Sequence, residues 1–577
     1  MPRWTAGVLG VLMIALGATL TLRPFSSLAT LLLYVAAVMV ATGVGDLVQS
    51  RNTHDRTERI TGVAWVLAGA AVLVRPDLSL AALTMLVGIA MIVAGGLRVW
   101  AATRGRRTDT VTAVLGGAAS AVFGVLALSW PDISILVIAV VFGARTVMHG
   151  FTLLANALRG AEQSRDEKRP DGRLVRIRRA SGAALGLLVA LSLTAVSVVL
   201  NQGSSGEVDD FYTAPADVPS EPGRLLRSEA FTRGIPSGAR AWRILYTTTR
   251  DEGVPAVASG LVVVSATAPT GPRPVIAWAH GTTGFARPCA PSLMKDPFVA
   301  GAMPAVDQVL ERGWAIVATD YIGLGTEGPH TYLVGQGEGR AVLDAVKAAR
   351  QLTDVSLSDQ TAVWGHSQGG GSALWAGQLA ETYAPDVPLA GVVAMAPASD
   401  LTQFVGTLEH MPGGSVFEAF VISAYSAIYP DVKFDDYVRP GAITIERRAA
   451  ERCLSDPGTL VSIATSLGLG NTVFSQPATE GPLGARLEEN TPTGPIAAPL
   501  LIAQGTTDTI IEPSMQTAYV DRRCKAGQQV DYRTYAGRDH LGLVAQDSPL
   551  IGELMAWTTE RFMGKAWRTP SCADGDR

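Results

Sequence analysis

Only four cysteines occur in 577 residues, Cys289, Cys453, Cys524 and Cys572, and they form no CxxC pair and no cysteine–histidine cluster with metal spacing. A cysteine-based metal site is therefore excluded. The chain also lacks the concentrated basic face that a nucleic-acid partner requires, since its net charge is −4. Most of its clustered Arg and Lys lie in short segments between apolar runs, where they bear on membrane topology. Polar sequence is scarce in one place only. The 48% hydrophobic content is concentrated in repeated apolar runs over the first two hundred residues, and the remainder is mixed and rich in Gly and Pro. A chain of this length exceeds one ordinary domain, so at least two are expected.

Spanning a bilayer takes roughly 20 apolar residues in a helix. Runs at about 6–22, 28–48, 60–74, 79–100, 111–129, 133–157 and 181–200 meet or approach this. The first six read as three copies of one hairpin. Their turns are Arg23-Pro24-Phe25-Ser26-Ser27, Arg75-Pro76-Asp77-Leu78-Ser79 and Trp130-Pro131-Asp132-Ile133-Ser134. Glycine recurs in register at Gly10, Gly62 and Gly117, at Gly17, Gly69 and Gly124, and at Gly43, Gly95 and Gly150. Proline ends each odd helix, because it lacks an N–H, and the serine that follows can cap the even one. Glycines seven apart share nearly one helix face, so neighbouring helices are expected to approach closely there. The three hairpins resemble the HdeD/DUF308 family of small bacterial membrane proteins.

Basic residues set the expected orientation. Arg51, Arg56 and Arg59 follow the first hairpin, four arginines from Arg98 to Arg107 follow the second, and a run from Arg159 to Arg179 follows the third. By the positive-inside rule these loops and the N-terminus are cytoplasmic. Seven spans then place everything after about residue 201 outside, on the extracytoplasmic side of the cell membrane. Arg145, one turn before His149, is an intramembrane charge, and its plain reading is a snorkelling or Asp46-paired residue. The expected organisation is a membrane domain over 1–158, a basic loop over 159–180, a seventh helix over 181–200, a linker over 201–225 and a second domain over 226–570. An even cysteine count outside the cytoplasm points to two disulfides, with three connectivities open and buried free thiols as the alternative.

The second domain alternates short apolar runs with helix-like stretches. The runs are Trp242–Thr249, Val257–Ala266, Pro274–His280, Trp314–Asp320, Thr361–Gly365, Leu389–Ala396, Pro499–Gly505 and Gln529–Tyr535. The first two suit an antiparallel hairpin and the rest a parallel sheet covered on both faces. This is an open α/β sheet, whose sites lie past the carboxyl ends of its strands.

Gly365-His366-Ser367-Gln368-Gly369 follows the strand Thr361–Trp364 and precedes a helix-like run, the setting of a G-x-S-x-G nucleophile elbow. The bland alternative is a structural turn serine. A hydroxyl is a poor nucleophile near neutral pH, so Ser367 needs a base and a group to orient that base. Proteins built on this elbow order the three as nucleophile, acid, histidine. Asp508 closes Gly505-Thr506-Thr507-Asp508 after one strand, and His540 closes Gly537-Arg538-Asp539-His540 after the next. Asp400 and Asp539 are rival acids. His366 is expected to pack locally, and His330 and His410 to lie at the surface or in a pocket wall. Two donors must hold an oxyanion. The expected ones are the backbone N–H of Gln368 and a donor from His280-Gly281-Thr282-Thr283-Gly284, with Thr282 the first choice. An insertion at about 400–496, with apolar helices at Phe417–Ile428 and Leu460–Leu469, is expected to form a cap.

These pieces resemble the secretory lipase family of α/β-hydrolases. The matching residues are Phe211-Tyr212-Thr213, Leu225-Leu226-Arg227, the oxyanion loop running into Cys289-Ala290-Pro291-Ser292, Asp320-Tyr321, the elbow, the Asp508 loop and His540. The resemblance covers about residues 210–570. It implies an α/β-hydrolase fold with a helical cap, ester or triacylglycerol hydrolysis, no metal or organic cofactor, and disulfides Cys289–Cys453 and Cys524–Cys572. The departure is a seven-helix all-α membrane domain in place of a secretion signal. The expected partners are a lipid or acyl ester and the bilayer, with no nucleic acid. Two rivals stay open: acyl transfer by the same triad, and a non-catalytic membrane sensor on a hydrolase scaffold.

Overall fold

The computed structural model describes residues 3–22, 56–74, 80–104, 110–131, 173–200, 206–250, 253–267, 271–439, 442–469, 473–565 and Cys572, with isolated residues between 36 and 47 and between 147 and 154. The chain forms two compact units. One holds Met1–Gln202 with Val438–Arg448 and Leu460–Val473; the other holds Gly203–Tyr437, Ala449–Thr459 and Phe474–Arg577.

The first unit contains helices Arg3–Leu22, Arg56–Val74, Leu80–Thr103, Thr110–Ser129 and Arg173–Leu200. Among the described residues, Thr84–Thr103, Thr110–Ser129 and Ala180–Leu200 are long and apolar enough to cross a membrane. The expected spans at 28–48 and 133–157 lie mostly outside the described residues, as do Asp46, Arg145 and His149. The repeated glycines mark close crossings among the described residues. A Cβ on Gly117 would stand 2.7 Å from the Gly95 carbonyl oxygen, and one on Gly62 would stand 2.8 Å from that of Gly43. Two turns along, Gly124 meets Gly88 and Gly69 meets Ala36 in the same way. Small residues let backbones touch, and van der Waals packing is the main attraction available between helices in lipid.

The second unit is built on a nine-stranded sheet: β1 (Leu225–Phe231), β2 (Ala239–Thr249), β3 (Pro255–Ser265), β4 (Arg273–Ala279), β5 (Ala315–Ile322), β6 (Leu357–His366), β7 (Leu389–Met395), β8 (Leu500–Gly505) and β9 (Asp531–Tyr535). Their order is β1-β2-β3-β5-β4-β6-β7-β8-β9. The pairs from β1 through β3 to β5 are antiparallel, and those from β5 through β4 to β9 are parallel. Strand alternation splits the core into two layers. Val275, Ala277 and Val363 pack on one face, while Ile276, Trp278 and Trp364 pack on the other. Buried on both sides, the central strands read as continuous apolar runs.

Two sequence expectations change. β1 was not anticipated: it is a half-exposed edge strand, LLRSEAF, without the alternation that marks a buried strand. The stretch expected as a linker is not free of the domain either. Asp210–Tyr212 forms a 3₁₀ turn that buries Phe211 and Tyr212, and the Tyr212 hydroxyl lies 2.8 Å from Ser292 Oγ. The insertion between β7 and β8 is helical. Its helices include Leu401–Leu408, Ser415–Ile428, Ile443–Ala450, Thr459–Leu469 and Gly481–Glu489.

Candidate active site

β6 runs into the helix Gln368–Tyr383 through a turn one residue wide, and Ser367 occupies it with φ 59° and ψ −121°. A non-glycine residue there is strained, and the surroundings must hold it. Ser367 N–H donates to the Met395 carbonyl at 2.9 Å, and the Ser367 carbonyl accepts from Gly370 and Ala398 at 2.9 and 3.0 Å. The flanking glycines allow the close approach. A Cβ on Gly369 would collide with the Ala279 carbonyl at the end of β4, and one on Gly365 would collide with the Gly369 carbonyl.

The acid and histidine loops are zipped together. Thr507 N–H donates to the Arg538 carbonyl, and Gly537 N–H donates to Thr506 Oγ1. His540 Nδ1 consequently lies 2.8 Å from Asp508 Oδ2. Asp508 Oδ1 accepts from the backbone N–H groups of Ile510 and Ile511, both at 2.9 Å, and Gln504 Nε2 donates to Oδ2. Burial pulls the Asp508 carboxyl upward, but the hydrogen bond and charge of His540 and the two N–H groups outweigh it and leave the pKa below the ordinary value. The rival acids are occupied elsewhere. Asp400 caps Leu401–Leu408 and pairs with Arg522, and Asp539 takes the Gly542 N–H of its own turn.

His366 docks the histidine loop beside the serine. Its Nε2–H donates to the His540 carbonyl at 3.0 Å, and the two rings lie 4.7 Å apart. Burial, reinforced by His540, lowers its pKa to about 3, so the ring is a neutral spacer. With Nδ1 given to Asp508, Nε2 of His540 is the nitrogen left for Ser367. A Ser367–His540 hydrogen bond is not among those formed by the described residues; such bonds are often long before substrate binds.

The loop after β4 faces the serine. A Cβ on Gly281 would lie 3.7 Å from Ser367 Cβ. The Gly281 N–H is committed to the Gly301 carbonyl, whereas the N–H groups of Thr282 and Gln368 donate no hydrogen bond among the described residues. Thr282 Oγ1 lies 3.2 Å from the Tyr332 hydroxyl, and Tyr332 meets Phe420 of the insertion edge-on. Cys289 is joined to Cys453, and Cys524 to Cys572. No group of His, Cys, Asp and Glu among the described residues could hold a metal ion. His410 is exposed, as expected. His330, expected at the surface or in a pocket wall, is 1% exposed, which excludes the surface. Its position and that of the buried Glu338 were not legible in the sequence, because both are defined by contacts with the distant Gln368.

The fold and the grouping of elbow, histidine and carboxylate define an α/β-hydrolase. The sequence model of the family described as secretory lipase matches residues 298–569, and that of a short repeat of unknown function, DUF308, matches 8–59, 60–118 and 115–169. Residues 298–569 are thus similar to secretory lipases and follow DUF308-like repeats, and the class of protein these similarities support is an ester hydrolase. A protein named probable inactive lipase from Mycobacterium tuberculosis is 28% identical over 62% of this chain and 82% of its own length. A secreted triacylglycerol lipase of Malassezia globosa is 27% identical over 67% of this chain and 86% of its own. The structure of Candida antarctica lipase A in its closed state superposes with a TM-score of 0.54 at 20% identity, over 63% of this chain and 88% of that one, and shares the fold.

Proposed function

We propose that this chain is a membrane-anchored serine esterase or lipase that works through an acyl-enzyme on the extracytoplasmic side of a cell membrane. The observation that carries the reading is the strained Ser367 next to His366, whose ring packs against a His540 braced by Asp508. Ser367 Oγ attacks the ester carbonyl as His540 Nε2 takes its proton. The Gln368 and Thr282 N–H groups hold the oxyanion. His540 returns the proton to the leaving alcohol, and water repeats the sequence to release the acid. Asp508 keeps the proton on Nδ1 and stabilises the imidazolium. The apolar helices and the DUF308 repeats support multi-pass anchoring over 1–200, with 226–570 as the hydrolase and 400–496 as its cap.

The test is labelling of the full-length protein by a fluorophosphonate, with an ester panel of graded chain length run alongside. Wild type should label and turn over esters, and Ser367→Ala should do neither. Unlabelled wild type beside a labelled control esterase would end the enzyme reading.

A further inference from the structure

Behind the proposed oxyanion hole lies an acid that the triad does not use. Glu338 sits in the first turn of the helix Gly335–Ala349 and is 1% exposed. Its Oε1 accepts from the Leu333 N–H at 3.0 Å and from Gln368 Nε2 at 2.6 Å, and its Oε2 lies 2.6 Å from Ser372 Oγ. Ser372 Oγ lies 3.1 Å from the Gln368 carbonyl oxygen. The other amide proton of Gln368 points at His330 Nε2, 3.3 Å away. Burial keeps His330 neutral, and its Nδ1–H donates to the Ile322 carbonyl, so Nε2 is an acceptor. Both amide protons of Gln368 are therefore placed.

We propose that Glu338 is a positioning residue of the oxyanion hole: it holds Gln368 directly by the side-chain amide and, through Ser372, by the carbonyl, and so fixes the direction of the Gln368 backbone N–H. The proposal rests on the serine-hydrolase reading above.

The proton on Glu338 decides how the network runs. Burial pushes this carboxyl up to about 8, against the pull of Ser372, Gln368 and Leu333. Among the described residues, no cation offsets the burial. The packed elements bring His330 and Tyr332 from the preceding loop, Tyr321 from β5 and Tyr425 from Ser415–Ile428. On its own helix, Arg340 turns away to the Arg250 carbonyl and Gln336. When neutral, Glu338 donates from Oε2 to Ser372 Oγ, which frees the Ser372 hydroxyl proton for the Gln368 carbonyl. When ionised, it takes that proton for itself. The Gln368 carbonyl then loses a donor, and a negative charge stands behind the developing oxyanion. Both changes slow acylation.

The test uses the full-length protein in lipid nanodiscs, with kcat and KM for a short aryl ester measured from about pH 6 to about pH 10 and fluorophosphonate labelling in parallel. Glu338→Gln reproduces the neutral acid's hydrogen bonds without its titration. Wild-type kcat should fall about tenfold through a step near pH 8 with KM little changed. Glu338→Gln should stay within about threefold of wild type at neutral pH and lose the step, and Glu338→Ala should lose about tenfold or more in kcat at every pH. A wild-type kcat flat across this range, an unchanged step in Glu338→Gln, or wild-type kcat in a folded Glu338→Ala would overturn the proposal. If the alanine variant does not fold, the comparison of wild type with Glu338→Gln decides alone. A wild type that hydrolyses no ester and takes no label overturns the serine-hydrolase reading instead.

Discussion

The Cys289–Cys453 disulfide should support both stability and turnover, and the two effects can be separated. Both residues are buried, and the bond closes a separation of 164 residues between the oxyanion loop's continuation and the insertion. Chain-entropy arithmetic assigns such a closure about 5 kcal/mol, and about 4 kcal/mol to Cys524–Cys572 across its separation of 48. Only the first touches the site. Gly284 pairs with Cys453 in a β-bridge, Leu454 N–H donates to the Thr283 carbonyl at 2.8 Å, and Thr283 Oγ1 donates to the Cys289 carbonyl at 2.8 Å. Thr282, one residue upstream, carries a proposed oxyanion donor. Replacing Cys289 and Cys453 together with serine should lower Tm by about 10 °C or more and kcat by about tenfold. Replacing Cys524 and Cys572 should cost nearly as much Tm and leave kcat alone. Differential scanning fluorimetry and ester turnover well below either Tm are the assays. Equal kcat losses in both double variants would refute the reasoning, because turnover would then follow global stability. So would an unchanged Tm without Cys289–Cys453.

Asp508→Asn should retain the Ile510 and Ile511 contacts through its carbonyl oxygen but present an NH₂ to His540 Nδ1. The proton then moves to Nε2, and kcat should fall by about 10⁴ with KM unchanged; a loss below about tenfold would assign the acid's role elsewhere. Gly369→Ala should cost at least about 1–3 kcal/mol and abolish turnover, because the new methyl meets the Ala279 carbonyl rather than a movable side chain. Thermal melting and activity check it, and a stable, active variant would contradict the packing argument. Glu338 should also shape stability against pH. Its folded pKa lies above its ordinary value of 4.5, so the native state keeps a proton that the unfolded chain releases, and stability falls as pH rises from 4.5 to about 8. The full excursion is at most about 5 kcal/mol. Urea titrations across that range should show a shallower decline for Glu338→Gln, and parallel curves would remove the assignment.

What the sequence made legible was local. The elbow could be read because the constraint on Ser367 acts through Gly365 and Gly369, two residues away on either side. Asp508 could be preferred because it closes a strand end in the nucleophile, acid, histidine order, whereas Asp539 adjoins the histidine and points the wrong way to hold its ring. The central strands announced themselves as unbroken apolar runs, because both faces of the sheet are covered. β1 did not: an edge strand with polar residues on its open side has no pattern to distinguish it from a loop. Phe211 and Tyr212 stood in a stretch rich in Pro, Ser and acidic residues, which reads as a tether until their burial against Leu293 is seen. Glu338 was hidden for a different reason. An acid in the first turn of a helix is ordinarily an exposed charge complementing the helix dipole. Only the approach of Gln368 and Ser372, some thirty residues later in the chain, turns it into a buried carboxyl with no counter-ion among the described residues.

The membrane half gives the complementary case, in which the residues were legible and their pairing was not. Counting from the prolines located glycines in register and led to the expectation that neighbouring helices approach closely there, without saying which helices pair. The described crossings run between copies: Gly43 of the first hairpin meets Gly62 of the second, and Gly95 of the second meets Gly117 of the third. The proline turn already ties the two helices of one copy together covalently, so close approach there is not needed to keep them adjacent. Glycine on both helices removes the side chains, and the backbones meet. Among the described helices, the close glycine crossings therefore join one copy of the repeat to the next.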